Sequence, residues 1–176
     1  MYAIIADIYG EKINKKLIFF FIIYPQKMEK QTYYNTPKFS LKNKIYEAKI
    51  LDIYDGDTIT ICINLEGFNY VKMNVRLDGI NTPELCGNEK NIAISARNFL
   101  INKLTDIKFE DTVKYSRDNI RKLINNDTHI IKVIFGDFDK YGRPLCIIYK
   151  NNININDLMI HNKYAKKYDG GKKESW

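Results

Sequence analysis

Residues 55–84 hold two strand-like runs in which apolar and polar positions alternate with a period of two, and the rest of the chain is organised around that stretch. Ile59, Ile61, Ile63 and Leu65 fall on one side of a predicted strand, with Thr58, Thr60, Cys62 and Asn64 on the other. Glu66-Gly67 supplies the reversal, because glycine accepts the positive φ that tight hairpins need. The return run places Val71, Met73, Val75 and Leu77 on one face and Lys72, Asn74 and Arg76 on the opposite one. Residues 45–54 alternate more loosely and predict a strand entering the hairpin.

After Thr82-Pro83-Glu84 the period changes. Ile92, Ala96, Phe99, Leu100 and Leu104 recur at helical spacing and predict a helix whose apolar stripe faces a core. Residues 105–128 read as a surface insertion holding a short helix over 117–125, with Ile120, Leu123 and Ile124 inward and Arg121 and Lys122 outward. Residues 130–135 predict a strand, 136–142 a turn and 145–149 a further strand. Asn154 caps a last helix that carries Ile155, Leu158 and Met159 on one face and Asp157 at its third position. Strand, hairpin, helix, two strands, helix is an α+β order: a small antiparallel sheet with helices packed outside. Five short strands in this order suit a Greek-key barrel of the OB type, although periodicity alone leaves other α+β layouts open.

The chain has 176 residues, enough for one domain with some extra sequence. Its formal charge of +7 is unevenly placed. Residues 1–44 hold eight Lys against Asp7, Glu11 and Glu29, whereas 45–176 hold twenty basic against eighteen acidic residues. The expected folded part is close to neutral, so charge alone is a weak argument for nucleic-acid binding. Three cysteines without CxxC spacing describe no disulfide framework, and two widely separated histidines make a zinc site a poor fit. Any metal bound here is expected to be a hard, oxygen-seeking cation.

Residues 1–44 are read as an N-terminal extension. Lys15-Lys16 precede the apolar run LIFFFIIY at 17–24, which Pro25 stops. A span needs about 20 apolar residues, so this run is too short to cross a membrane alone. Three readings stay open: a signal or membrane anchor, an upstream extension before a start at Met28, and a packed element. Residues 29–44 read as a polar linker, 45–171 as the folded domain and 172–176 as a basic tail.

The hairpin brings its two open ends together. Asp57 therefore lands near Arg76, Asn81 and Glu84, and oxygen ligands beside a guanidinium and a spare carboxylate point to a metal-assisted phosphate site. Taken singly these residues have ordinary readings: Asp55-Gly56 as turn residues, Arg76 as a strand-surface ion-pair partner, Arg143 as a turn cation, Glu84 as an exposed acid before a helix.

Taken together and in order, DGDT at 55–58, RLDGINTPE at 76–84 and DKYGRPL at 139–145 resemble the thermonuclease family, the staphylococcal nuclease-like domains. The resemblance runs from about Ile45 to about Gly171, and YDGGKK at 168–173 is similar to the family's ending. It implies an OB-fold barrel with about three helices and calcium-dependent hydrolysis of phosphodiester bonds in DNA, RNA or both, by an endonuclease of low sequence specificity. It further implies that Asp57 and the backbone carbonyl of Thr82 ligate Ca²⁺, and that Arg76 and Arg143 grip the scissile phosphate. Glu84 matches the general base, Lys140 and Tyr141 match contacts to a neighbouring phosphate, and Tyr168 stands where the family has a base-stacking tyrosine. Asn81 departs from the pattern, because the family's second calcium carboxylate is an Asp. Its amide oxygen still ligates calcium but removes a unit of charge, so weaker calcium binding is expected, with Asp55 as a nearby compensating acid. The expected partner is a nucleic-acid substrate met by a monomer. The rival expectation is an OB module that binds nucleic acid or a protein ligand without cutting.

Overall fold

The structure, a computed structural model, describes residues 30–126, 128–171 and 176. The chain divides into two compact units, Met1–Phe39 and Ser40–Trp176. The apolar run at 17–24 lies outside the described residues. Among the described residues no helix is long and apolar enough to cross a membrane. In the first unit Thr32 and Asn35 close a turn on each other, each backbone N–H donating to the other's side-chain oxygen.

The second unit is a closed five-stranded barrel with three helices, an α+β fold of the OB type. Strand β1 (Ile45–Ile53) runs into the hairpin β2 (Thr58–Leu65) and β3 (Asn69–Leu77). The two-residue strand β4 (Ile80–Asn81) follows, then helix α1 (Lys90–Leu104) and helix α2 (Arg117–Asn125). Strands β5 (Ile130–Phe138) and β6 (Pro144–Lys150), the short β7 (Ile153–Asn154), helix α3 (Ile155–His161) and β8 (Lys166–Lys167) complete the unit. The sheet order is β3-β2-β1-β5-β6-β7. It closes where β3 meets β6 in parallel, with Arg76 beside Leu145 and Leu77 beside Cys146.

Alternation decides which face is inside. Ile59, Ile61, Ile63 and Val75 are fully or almost fully buried, together with Ala48, Ile50, Val133, Phe135, Cys146 and Ile148 from neighbouring strands. One buried Asn knits the barrel closure. Asn156 of α3 donates to the carbonyls of Asp78 and Cys146, both at 2.9 Å, and accepts from the N–H of Ile148 at 3.1 Å. The Asn154 cap forms as the sequence predicts, accepting from the N–H of Asp157 at 3.2 Å.

Several local expectations are corrected. The hairpin reversal takes three residues, with Leu65 facing Asn69 and positive φ at both Gly67 and Asn69. In α1 the buried face is centred on Ala93, Ala96, Leu100, Ile101 and Leu104, while Ile92 is 47% exposed and Phe99 only partly buried. The stripe is turned because α1 also buries Arg97 and Asn98, residues that a hydrophobic pattern assigns outward. Strand β5 runs on to Phe138, so the turn before Arg143 is shorter than residues 136–142.

The segment 105–128 is not a surface insertion. Phe109, Ile120 and Ile124 join the core, whereas Leu123 stays 44% exposed. Asn98 and Asn102, one turn apart on α1, hold the segment to the barrel. Asn98 donates to the carbonyls of Glu110, Asp111 and Val113, and Asn102 exchanges two hydrogen bonds with the backbone of Phe109. Arg121 does not point freely outward either. With Arg117 it pairs with the buried carboxylate of Asp52.

Candidate functional site

The site lies at the mouth of the β2–β3 hairpin, where register sets Thr58 opposite Arg76. Asp57, just ahead of β2, is buried and each of its carboxylate oxygens accepts two hydrogen bonds. Oδ1 takes the Nη1 of Arg76 and the hydroxyl of Thr58, the latter at 3.0 Å. Oδ2 takes the backbone N–H of Thr82 at 3.0 Å and its hydroxyl at 3.1 Å. The loop before Asp57 is drawn in tightly. A Cβ on Gly56 would stand 2.8 Å from Cγ2 of Thr82, so only glycine fits against the buried threonine. Asp55 stabilises the same turn by accepting from the N–H of Asp57 at 3.0 Å. Burial and the neighbouring Asp57 charge push the Asp55 carboxyl up to about 7.

Arg76 spans the site. Beyond Asp57, its Nη2 donates to the carbonyl of Ile80 at 3.2 Å and to the side-chain oxygen of Asn81 at 3.4 Å. Asn81 is held by pairing of β4 with β8, opposite Lys166. Tyr168 follows β8, and its ring centroid lies 5.9 Å from the Arg76 guanidinium carbon.

Arg143 arrives on the tight turn between β5 and β6, two residues before Leu145, the β6 residue that pairs with Arg76 where the barrel closes. Asp139 holds it twice, accepting the backbone N–H at 2.9 Å and Nε at 2.7 Å. Its Nη1 then reaches the hydroxyl of Thr58 at 3.4 Å. Burial alone would raise the Asp139 carboxyl, but the hydrogen bonds from Arg143 and Tyr141 outweigh it and hold that carboxyl below its usual range. Gly142, at φ +77°, lets the turn place Arg143 this way. Lys140 and Tyr141 sit exposed on that turn, and both Lys140 and Arg143 lie near the Tyr141 ring, at 5.1 and 5.5 Å.

Of the residues singled out from the sequence, Asp57, Arg76, Asn81, Thr82 and Arg143 are thus brought together, with Tyr168 beside Arg76. Glu84 lies exposed on the loop two residues past Thr82. Sequence reasoning missed three contributors. Thr58 links the two arginines through Asp57, Asp139 orients Arg143, and the buried Arg97 lies close enough to Asp55 and Asp52 to feel both charges. The first two stood within the quoted motifs, at positions to which no role was attached. Arg97 gave no signal, since a lone Arg on a helix reads as surface.

The donors available to a cation are the Asp57 carboxylate, the Asn81 amide oxygen and the Thr82 carbonyl. Oxygen donors of this kind suit a hard cation such as calcium. They carry one negative charge, already shared with Arg76, and among the described residues no three His, Cys, Asp or Glu side chains gather as a ligand cluster. The set fits such a cation in chemistry while favouring weak binding. An open cleft of about 560 Å³ adjoins the site, bordered by Asn81, Asp157, Lys166 and Tyr168.

A family model described as staphylococcal nuclease homologue matches residues 74–175, which include Arg76, Asn81, Thr82, Glu84, Arg143 and Tyr168. An uncharacterized protein of Methanocaldococcus jannaschii is 30% identical over 148 residues. That match covers 78% of this chain and 66% of the relative, just under two thirds of its length. With more than half of its length matched, and with the barrel and the order of its motifs in agreement, the chain belongs to the family of staphylococcal nuclease homologues.

Proposed function

We propose that the domain is a calcium-dependent phosphodiesterase, an endonuclease of low sequence specificity acting on DNA, RNA or both. The observation that carries this reading is the convergence of two guanidinium groups, from segments far apart in sequence that meet where β3 pairs with β6, on one carboxylate–hydroxyl pair, Arg76 on Asp57 and Arg143 on Thr58. A phosphodiester resists water because of its own negative charge, and forked donors offset that charge best as phosphorus becomes five-coordinate. Arg143 is anchored through Nε and its backbone, which leaves its Nη edge, with a long 3.4 Å contact to Thr58, placed to exchange that contact for phosphate oxygens. Arg76 likewise has two long contacts, to Ile80 and Asn81, to give up.

In this reading Asp57, Asn81 and Thr82 hold calcium, which when bound supplies Lewis-acid polarisation of the phosphate. Glu84 accepts a proton from the attacking water as the new P–O bond forms, and the leaving oxygen takes its proton from solvent. Lys140 and Tyr141 receive the adjoining phosphate and Tyr168 a base.

A second reading, an OB module that binds without cutting, is favoured by one observation. All four acceptor positions on Asp57 are already used within the protein, so a cation must displace Arg76, Thr58 or Thr82 to reach it. Cleavage of single-stranded DNA and RNA by the full chain, across a calcium titration with Mg²⁺ and EDTA controls, separates the two. Calcium-requiring cleavage that falls by orders of magnitude in Glu84→Ala and Arg143→Ala supports the enzyme. Binding that survives EDTA with no cleavage at any calcium level supports the module.

A further inference from the structure

Among the described residues, the β2–β3 hairpin presents an uncovered face that runs out from the two arginines. Register pairs Thr58 with Arg76, Thr60 with Asn74, Cys62 with Lys72 and Asn64 with Tyr70. Because Ile59, Ile61, Ile63 and Val75 point into the core, all four of these pairs point away from it. Strand β1 adds Lys49 beside Cys62, so Lys49, Cys62 and Lys72 form one row across three strands. Tyr70 is 77% exposed, and Phe68 at the hairpin tip is 69% exposed.

We infer that this face is a track for single-stranded nucleic acid, leading from Arg76 past Asn74 and the Lys49–Lys72 row to the rings of Tyr70 and Phe68. The inference rests on the phosphodiester reading of the site and extends it to the path of the strand. Three observations support it. The face is continuous with the site, since Arg76 and Thr58 are its first pair. The charged members of β2 and β3 on this face, from Arg76 to Tyr70, are cationic. Among the acids nearby, Glu66 lies in the turn, Glu47 shares the outward face of β1 but stands opposite Lys132 of β5, and Asp52, opposite Thr60, is buried under Arg117 and Arg121. Finally, exposed rings at the far end, about 20 Å from Arg76 at ~3.4 Å per residue, offer stacking surfaces that every base can use. Lysines that neutralise phosphates, with aromatic rings beside them, are the combination that holds single strands without regard to sequence.

The test compares the full chain with Phe68→Ala/Tyr70→Ala and with Lys49→Gln/Lys72→Gln. Each is assayed for cleavage of a 20-nucleotide single-stranded DNA and of a dinucleotide, and for binding of the 20-mer in EDTA by fluorescence anisotropy. The aromatic variant is expected to weaken 20-mer binding and raise its KM at least about tenfold, with dinucleotide cleavage unchanged. The lysine variant is expected to reduce the slope of log Kd against log salt by about 1.4, the loss of two single-strand phosphate contacts. Unchanged 20-mer binding and salt slope in both variants overturns the track. So does an equal loss on dinucleotide and 20-mer, which would mean that the variants damage the site itself. A wild-type chain that binds the 20-mer through these residues but cuts nothing leaves the track standing and removes the nuclease reading.

Discussion

Asp57 and Arg76 form a buried ion pair across the mouth of the hairpin, with side chains 4% and 11% exposed. The pair makes the site's main anion and one of the two cations proposed to face the phosphate depend on each other. Removing the carboxylate in Asp57→Ala leaves a buried guanidinium uncompensated. The expected cost is about 3–5 kcal/mol, measured by urea denaturation, so loss of activity in that variant must be judged on folded protein. Asp57→Asn keeps most acceptor contacts and is expected to cost less.

Arg143→Lys keeps the charge and loses the fork. Lysine has no counterpart to the Nε that Asp139 holds at 2.7 Å, so nothing aims the ammonium at Thr58. On the proposed function, kcat/KM is expected to fall about 10²- to 10³-fold with little change in melting temperature. A loss below threefold in steady-state cleavage would remove Arg143 from phosphate binding.

Asn81→Asp restores the unit of charge that this chain lacks beside Asp57. The calcium concentration needed for half-maximal cleavage is expected to drop by at least about tenfold, as ligand charge tunes such sites over orders of magnitude. Isothermal titration with calcium alone reads the same change without turnover. Equal calcium affinity in the two proteins would exclude position 81 as a ligand.

Gly56→Ala places a methyl group 2.8 Å from the Thr82 side chain, a contact that real Cβ atoms do not make. Thr82 must shift, and the two hydrogen bonds it donates to Asp57 shift with it. A loss of about 1–3 kcal/mol is expected by the usual overpacking cost, read by thermal or urea unfolding. Gly56→Ala combined with Thr82→Ser, which removes the nearest of the three close Thr82 atoms, should recover part of it.

Asp55 gives the fold a pH dependence of defined sign. Its carboxyl lies near 7 in the folded protein against an ordinary 3.8 in an unfolded chain, so between about pH 4 and 7 the folded state holds a proton that the unfolded chain has released. The stabilisation from this group is complete below the unfolded value and is lost as pH rises through the folded one. The expected slope is at most about 1.4 kcal/mol per pH unit. Asp55→Asn should flatten that slope in urea melts run from pH 4.5 to 7.5. Asp139, held below its usual range, acts with the opposite sign and only under more acid conditions, where its stabilising contacts to Arg143 are lost.

The alternation at 58–77 was enough by itself to place both hairpin strands, the inward isoleucines and Arg76 on the opposite face, because a strand's period of two needs no distant partner to be read. The same holds for the Asn154 cap, a bond between residues three apart. The motifs in DGDT, RLDGINTPE and DKYGRPL named the residues that meet, since family likeness preserves order along the chain. What only the tertiary structure decided were the relations between segments far apart in sequence. Closure of the barrel through β3 and β6 carries Arg143 to Thr58, 85 residues away. The 105–128 segment, polar enough to look like surface, is drawn into the core because Asn98 and Asn102 satisfy its backbone and Asp52 pairs with its arginines. Arg97 is buried for the same kind of reason, beside acids that lie more than 40 positions earlier. Hydrophobic periodicity records which side of a segment avoids water. It holds no record of which buried polar groups find each other, because those partners are chosen only when the barrel closes.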